Sequence, residues 1–131
     1  GGGSSFAEAP KDKEFLKNCK ELGRAIAQSV MTEKEKWLIV ATTDFSRGVK
    51  EDVEKTDKIL IESLRNLSEK KFFDAVHKTS AYICGYGAVL VMLSAAKEMK
   101  AKRSKLLKYM SSIGALKDSK SVTGYASIII Y

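Results

Sequence analysis

Six consecutive residues, Trp37, Leu38, Ile39, Val40, Ala41 and Thr42, form a continuous apolar run between a charged turn at 32–36 and a polar segment at 43–48. A run this short, rich in β-branched residues and without alternation, reads as a strand buried on both faces. That pattern is typical of a parallel or mixed sheet covered by helices. The rest of the chain supplies the helices. Phe15, Leu16, Cys19, Leu22, Gly23, Ile26 and Val30 recur at three- and four-residue steps, which predicts an amphipathic helix facing a core. A second helix is predicted over 50–66, with Val53, Leu60, Ile61 and Leu64 as its stripe. Ser68 is an N-cap for a short third helix carrying Phe72, Phe73 and Val76. Cys84, Gly85, Tyr86 and Gly87 open a fourth helix over 88–99, apolar nearly all round and therefore buried. Two further strands, 105–110 and 122–131, close the chain with no helix between them. The reading is an α/β chain with mixed sheet pairing. Three legible strands are few for a covered sheet, and their open edges invite pairing. More sheet is expected from elsewhere, either a missing part of the polypeptide or a partner chain.

A chain of 131 residues, 44% hydrophobic, fits a single domain with a packed core. Two cysteines, Cys19 and Cys84, are too few for a disulfide scaffold and lack the spacing of a zinc site. No apolar stretch is long enough to cross a bilayer, and the Gly-Ser start, a flexible polar segment, lacks the layout of a signal peptide. The expectation is a cytoplasmic protein with reduced thiols and no membrane contact. Lys and Arg total 23 against 16 Asp and Glu, a formal charge of +7. The excess gathers at Lys97, Lys100, Lys102, Arg103, Lys105, Lys108, Lys117 and Lys120, opposed only by Glu98 and Asp118. These positions straddle a helix end, a turn and a strand, with no interleaved aromatic platform, so a solvated basic surface is expected rather than a nucleic-acid site.

Two places carry candidate chemistry. Thr42, Thr43, Asp44, Phe45 and Ser46 directly follow the first strand, and open α/β sheets bind ligands at the carboxyl ends of their strands. A carboxylate there can orient a histidine, hold a metal or accept a proton. By position alone, Asp44 or Ser46 is more often a cap for the next helix. The second place is Cys84 at a helix entry, where the dipole favours a thiolate and flanking glycines let backbone approach a ligand. A small buried hydrophobe is the commoner use of such a cysteine. Cys19, on an apolar stripe, reads as packing. His77, the only histidine, reads as a surface or boundary residue, since one imidazole makes no metal site.

These pieces, in their order, resemble the carboxyl-terminal half of the Memo family, which is related in fold to the class III extradiol dioxygenases. The resemblance rests on Thr43-Asp44-Phe45-Ser46 after an apolar strand and on a helix with an aspartate around Asp57. It continues in Ile83-Cys84-Gly85 opening an alanine-bearing helix with Ala95 and Ala96. It closes on Tyr109 to Ser112 followed by Val122, Thr123, Gly124, Tyr125 and Ala126. It implies a Memo-like α/β domain over 12–131, after a flexible segment 1–11, with a partial extradiol-dioxygenase-like mixed sheet flanked by helices. It also implies catalytic positions at Asp44 and Cys84, with Arg47, Ser46 and Gly85 beside them as ligand-binding residues. The family suggests iron or copper, but its histidine three residues after the aspartate is Arg47 here. Its other two site histidines belong to the amino-terminal half. Arginine offers no lone pair to a metal, so no metal ligand is assigned. Arg47 is suited instead to an anion such as a carboxylate or phosphate.

Three function classes follow. The favoured one is a non-catalytic interaction or scaffold domain with a small anion- or peptide-binding cleft. The alternative is part of a metal-dependent, dioxygenase-like redox enzyme whose histidines lie in a missing segment. Nucleic-acid binding is the third, and is not expected. A homo-oligomer or a second chain covering the sheet is the expected assembly.

Overall fold

Small side chains decide how the first helix packs. In the computed structural model, which describes residues 9–79, 81, 83–112 and 121–131, helix α1 spans Ala9–Met31. Its buried row is Cys19, Gly23 and Ala27, four residues apart, while Phe15 and Leu22 of the expected stripe stay exposed. That row packs against helix α4, Tyr86–Glu98. The approach is so close that a Cβ on Gly23 would fall 2.5 Å from the Val91 carbonyl oxygen. The core face of α1 therefore follows its smallest residues. The segment 1–5 and Lys117, Asp118 and Lys120 of the basic stretch lie outside the described residues.

Helix α2, Lys50–Arg65, buries Val53, Asp57, Leu60, Ile61, Ser63 and Leu64, the expected stripe with one acidic residue inside it. It packs against strands β2, Ser104–Ser111, and β3, Val122–Ile130. Helix α3, Glu69–Lys78, starts at the expected cap, where the Lys71 amide donates to Ser68 Oγ at 3.1 Å. Leu60, Phe72, Leu90 and Leu93, each without exposed surface, form the centre of the core.

The α/β class holds. The sheet runs β1-β3-β2, where β1 is only Arg47–Gly48, and both pairings are antiparallel. A bulge at Leu107 in β2 sets Leu106 opposite Ile128 and Lys108 opposite Ser127. The extra residue resets the alternation, so that Leu106 and Tyr109 both pack against the core. The outer face leaves Leu107, Met110, Tyr125 and Ile129 exposed.

The apolar run 37–42 departs from expectation. It belongs to no sheet, and among the described residues no backbone-to-backbone hydrogen bond engages 37–44. Trp37, Leu38 and Val40 are 56%, 84% and 68% exposed. An irregularity lies just downstream. The Phe45 amide donates to the Gly124 carbonyl at 3.0 Å, and the Gly124 amide donates to the Ser46 carbonyl at 2.9 Å. Phe45 and Ser46, just before β1, thus share the single partner Gly124, an irregularity of the kind that bends a chain out of register.

Candidate functional site

The segment 43–47 is held from two sides. On one side the Gly85 amide donates to Thr43 Oγ1 at 3.0 Å. Contact there is close: a Cβ on Gly85 would lie 2.6 Å from the Thr43 Cβ. Asp44 and Cys84 each adjoin a member of this contact, and both are exposed. The loop after the apolar run and the entry of α4 therefore form one surface, and Gly85, the N-cap of α4, is the residue that permits it.

On the other side stands Asp57, fully buried on α2. Its Oδ1 accepts the Ser46 amide at 2.9 Å and the Ser46 hydroxyl at 2.6 Å, and its Oδ2 accepts the Tyr109 hydroxyl at 2.6 Å. The carboxylate is thus met by three donors from two other elements, which makes its burial tolerable. Burial, then the hydrogen bond to Asp57, pushes the Tyr109 phenol well above its ordinary range. Gly124 faces the same carboxylate so closely that a Cβ there would sit 1.7 Å from Asp57 Oδ2. Any side chain at that position would break the cluster.

The expected site residues divide accordingly. Asp44 and Cys84 lie on the shared surface, and Arg47 is exposed on β1, three residues beyond Asp44. Among the described residues no hydrogen bond or ion pair engages these three side chains with one another. Gly85 forms the seam. Ser46 does not face outward: it is 5% exposed, and both its amide and its hydroxyl are bound to Asp57. Two uses suggested by position alone are corrected. Neither Asp44 nor Ser46 caps α2, whose N-cap is Val49 without a side-chain bond. Cys84 is not a buried hydrophobe but exposed. Cys19 is buried, and burial pushes its thiol pKa up, as suits packing. His77 is the expected boundary residue. Its Nδ1 lies 2.9 Å from the Phe73 carbonyl, and its ring lies over Phe73 at 4.2 Å and edge-on to Tyr86 at 6.0 Å.

Sequence reasoning placed Asp57 and Tyr109 within motifs without giving them a part in the site. The signal for Asp57 was present. It sits between Val53 and Leu60 on the apolar stripe of a helix, where an acid must be paired or leave the core.

An α/β domain whose loop between an apolar run and β1 is pinned to a glycine-opened apolar helix and to a buried carboxylate defines the structural class. The chain matches the family model described as Memo-like protein over residues 13–129. It is 36% identical over 111 residues to a MEMO1 family protein of Methanococcus maripaludis strain C5, covering 84% of this chain and 39% of that protein. A MEMO1 family protein of Methanosarcina mazei is 32% identical over 111 residues, 84% of this chain and 42% of the relative. The chain belongs to the Memo family. Its match spans about two-fifths of the length of these relatives.

The iron or copper suggested by the family can be tested against the side chains present. Among the described residues no three His, Cys, Asp or Glu side chains gather at one place. Of the side chains expected at the site, Asp44 and Cys84 offer two donors, and the arginine three residues beyond Asp44 cannot ligate. This donor set does not fit such a metal. No described helix is long and apolar enough to cross a membrane.

Proposed function

We propose that this chain is an interaction domain of the Memo family whose mouth, between the loop at 43–47 and the entry of α4, binds a small anionic group, either free or carried on a peptide. The observation that carries the reading is the Thr43–Gly85 contact, which sets Asp44 beside the turn of Cys84 with Arg47 exposed on the same short segment. Arg47 supplies a permanent charge and a planar fork of donors for a carboxylate or phosphate. The entry of α4 adds the positive end of a helix dipole. Ser46 and Asp57 give the segment a fixed backbone and take no part in binding. Asp44 sets a limit on the ligand, since its carboxylate disfavours a bare, highly charged anion and favours a group that also brings a donor.

A second reading, part of a metal-dependent redox enzyme, is supported by the relatives' greater length, which leaves room for ligands outside this chain. A metal retained near unit stoichiometry and lost in Asp44→Ala or Cys84→Ser would favour it.

The test is a titration of the chain with inorganic phosphate, and separately with acetate, followed through backbone amide shifts at physiological ionic strength. Shifts are expected at 43–47 and 84–86. Arg47→Ala should weaken binding about tenfold or more, the scale of one charge-assisted hydrogen bond. Equal binding by Arg47→Ala would refute the reading.

A further inference from the structure

Between α2 and α3 runs an open groove of about 490 Å3. The two helices are joined by Asn66, Leu67 and Ser68 alone, and Ser68 caps the second, so a short capped turn sets the groove before any ligand arrives. From α3 come Lys71, Asp74, Ala75 and Lys78, spaced as one helical face. From α2 come Lys58 and Glu62, with Ile59 and Ser63 beside them. Ser63 and Ala75 are small and buried, and the Ser63 hydroxyl donates to the Leu60 carbonyl of its own helix at 2.6 Å, so they form a closed floor. Ile59 stands at that floor with half its surface in solvent.

The charges around the groove are unequal. Glu62 is met by Arg65 at 3.6 Å and Asp74 by Lys70 at 2.8 Å, each along its own helix, and neither cation lines the groove. Lys58, Lys71 and Lys78 are exposed, and among the described residues no hydrogen bond or ion pair engages their ammonium groups. An apolar strip rimmed by a surplus of one sign fits a partner that brings the other sign. We propose that this groove docks an acidic peptide segment of another protein, with an apolar side chain against Ile59 and Ala75 and carboxylates reaching Lys58, Lys71 and Lys78. Charge selects this occupant. A second copy of this chain, at +7, is a poor complement to a surplus of lysine. A nucleic acid carries phosphate at every step, would have to pass Glu62 and Asp74, and gains nothing from an apolar floor. A peptide can space its carboxylates to the three lysines and set an apolar residue between them. The groove shares no residue with the mouth at 43–47 and 84–86, so the inference does not rest on anion binding there.

The probe is a capped synthetic peptide of about twelve residues, with leucine at every third or fourth position among glutamates, followed through backbone amide shifts of the 131-residue chain. A counterpart carries glutamine for every glutamate, and single-stranded oligothymidylate is the polyanion control. Shifts are expected at 58–63 and 71–78, with the glutamine counterpart binding about tenfold more weakly or worse. Lys58→Ala, Lys71→Ala and Lys78→Ala combined should weaken the acidic peptide about tenfold or more, and Ile59→Gln about threefold or more. All four side chains are exposed, so circular dichroism of these variants should be unchanged. Arg47→Ala should leave the shifts at 58–63 and 71–78 as they are. Shifts confined to 43–47 and 84–86 would overturn the proposal and assign the peptide's carboxylates to the mouth. Equal binding by the glutamine counterpart or by the lysine variant would overturn it, as would no shift at the groove up to about 1 mM peptide. Displacement of the peptide by an equal concentration of oligothymidylate would make the groove a polyanion site instead. Groove shifts that grow with protein concentration alone would make a second copy the occupant.

Discussion

At the scale of single residues, the strongest determinant of the mouth is a side chain that does not face it. Asp57 holds Ser46 and Tyr109 together from inside the core. Tyr109→Phe removes one of its three donors while keeping the ring, and should cost about 1–3 kcal/mol, measured by urea unfolding. The same variant should change the alkaline limb. Tyr109 holds its proton more tightly folded than unfolded, so its contribution is intact below the unfolded phenol's pKa. It is lost as pH rises above about 10. The wild type should therefore lose stability there more steeply than Tyr109→Phe, and equal slopes would show that the phenol is not linked to folding. Asp57 could be singled out in the sequence as an acid on an apolar stripe. Its partners could not, because they lie 11 and 52 residues away.

Among the elements, the helices were legible because their periodicity is local. Their boundaries moved by a turn at most: α2 ends at Arg65 instead of 66, and α4 opens at Tyr86 instead of 88. α4 closes with the Ala101 amide on the Ala96 carbonyl at 2.9 Å and the Lys100 amide on the Lys97 carbonyl at 3.0 Å. Lys100 takes the left-handed position, with φ at 71°, where glycine is the residue of least strain. Lys100→Gly should stabilise the chain by about 0.5–1 kcal/mol, read as a higher urea midpoint. α3 and α4 are joined by Glu69, which accepts Ser94 Oγ at 2.8 Å and Lys97 Nζ at 2.6 Å. Burial would raise the Glu69 carboxyl, but the Lys97 ammonium and the Ser94 hydroxyl outweigh it and hold it below the usual range. A depressed pKa gives stability that is present above the unfolded value and lost as pH falls through the folded one. The unfolding midpoint should drop below about pH 4.5, and Glu69→Gln should flatten that drop.

For the molecule as a whole, one face of the structure is finished and another is open. The side built from α1, α3 and α4 encloses Leu60, Phe72, Leu90 and Leu93, whereas the run 37–42 and the outer face of β2 and β3 keep large apolar side chains in solvent. Local stability should follow that division. In the lone chain the amides of Leu38, Ile39 and Val40 should exchange within about tenfold of unfolded rates, and those of Leu90 and Leu93 should be among the slowest. Comparable protection in the two segments would mean that 37–42 already has a partner in the lone chain.

The α/β class, the four helices, the cap at Ser68 and the family were readable from the chain itself, since periodicity, capping and ordered motifs act over a few residues. Composition also marked 37–42 as a strand meant for burial. Only the tertiary structure decided that it stands outside the sheet of the described residues, that Ser46 turns inward while Cys84 turns outward, and that α1 presents its small residues to α4. Each of these depends on which distant segment arrives to share a hydrogen bond or a surface. A strand's burial in particular is settled by neighbours, and among the described residues none offers 37–42 a backbone-to-backbone hydrogen bond.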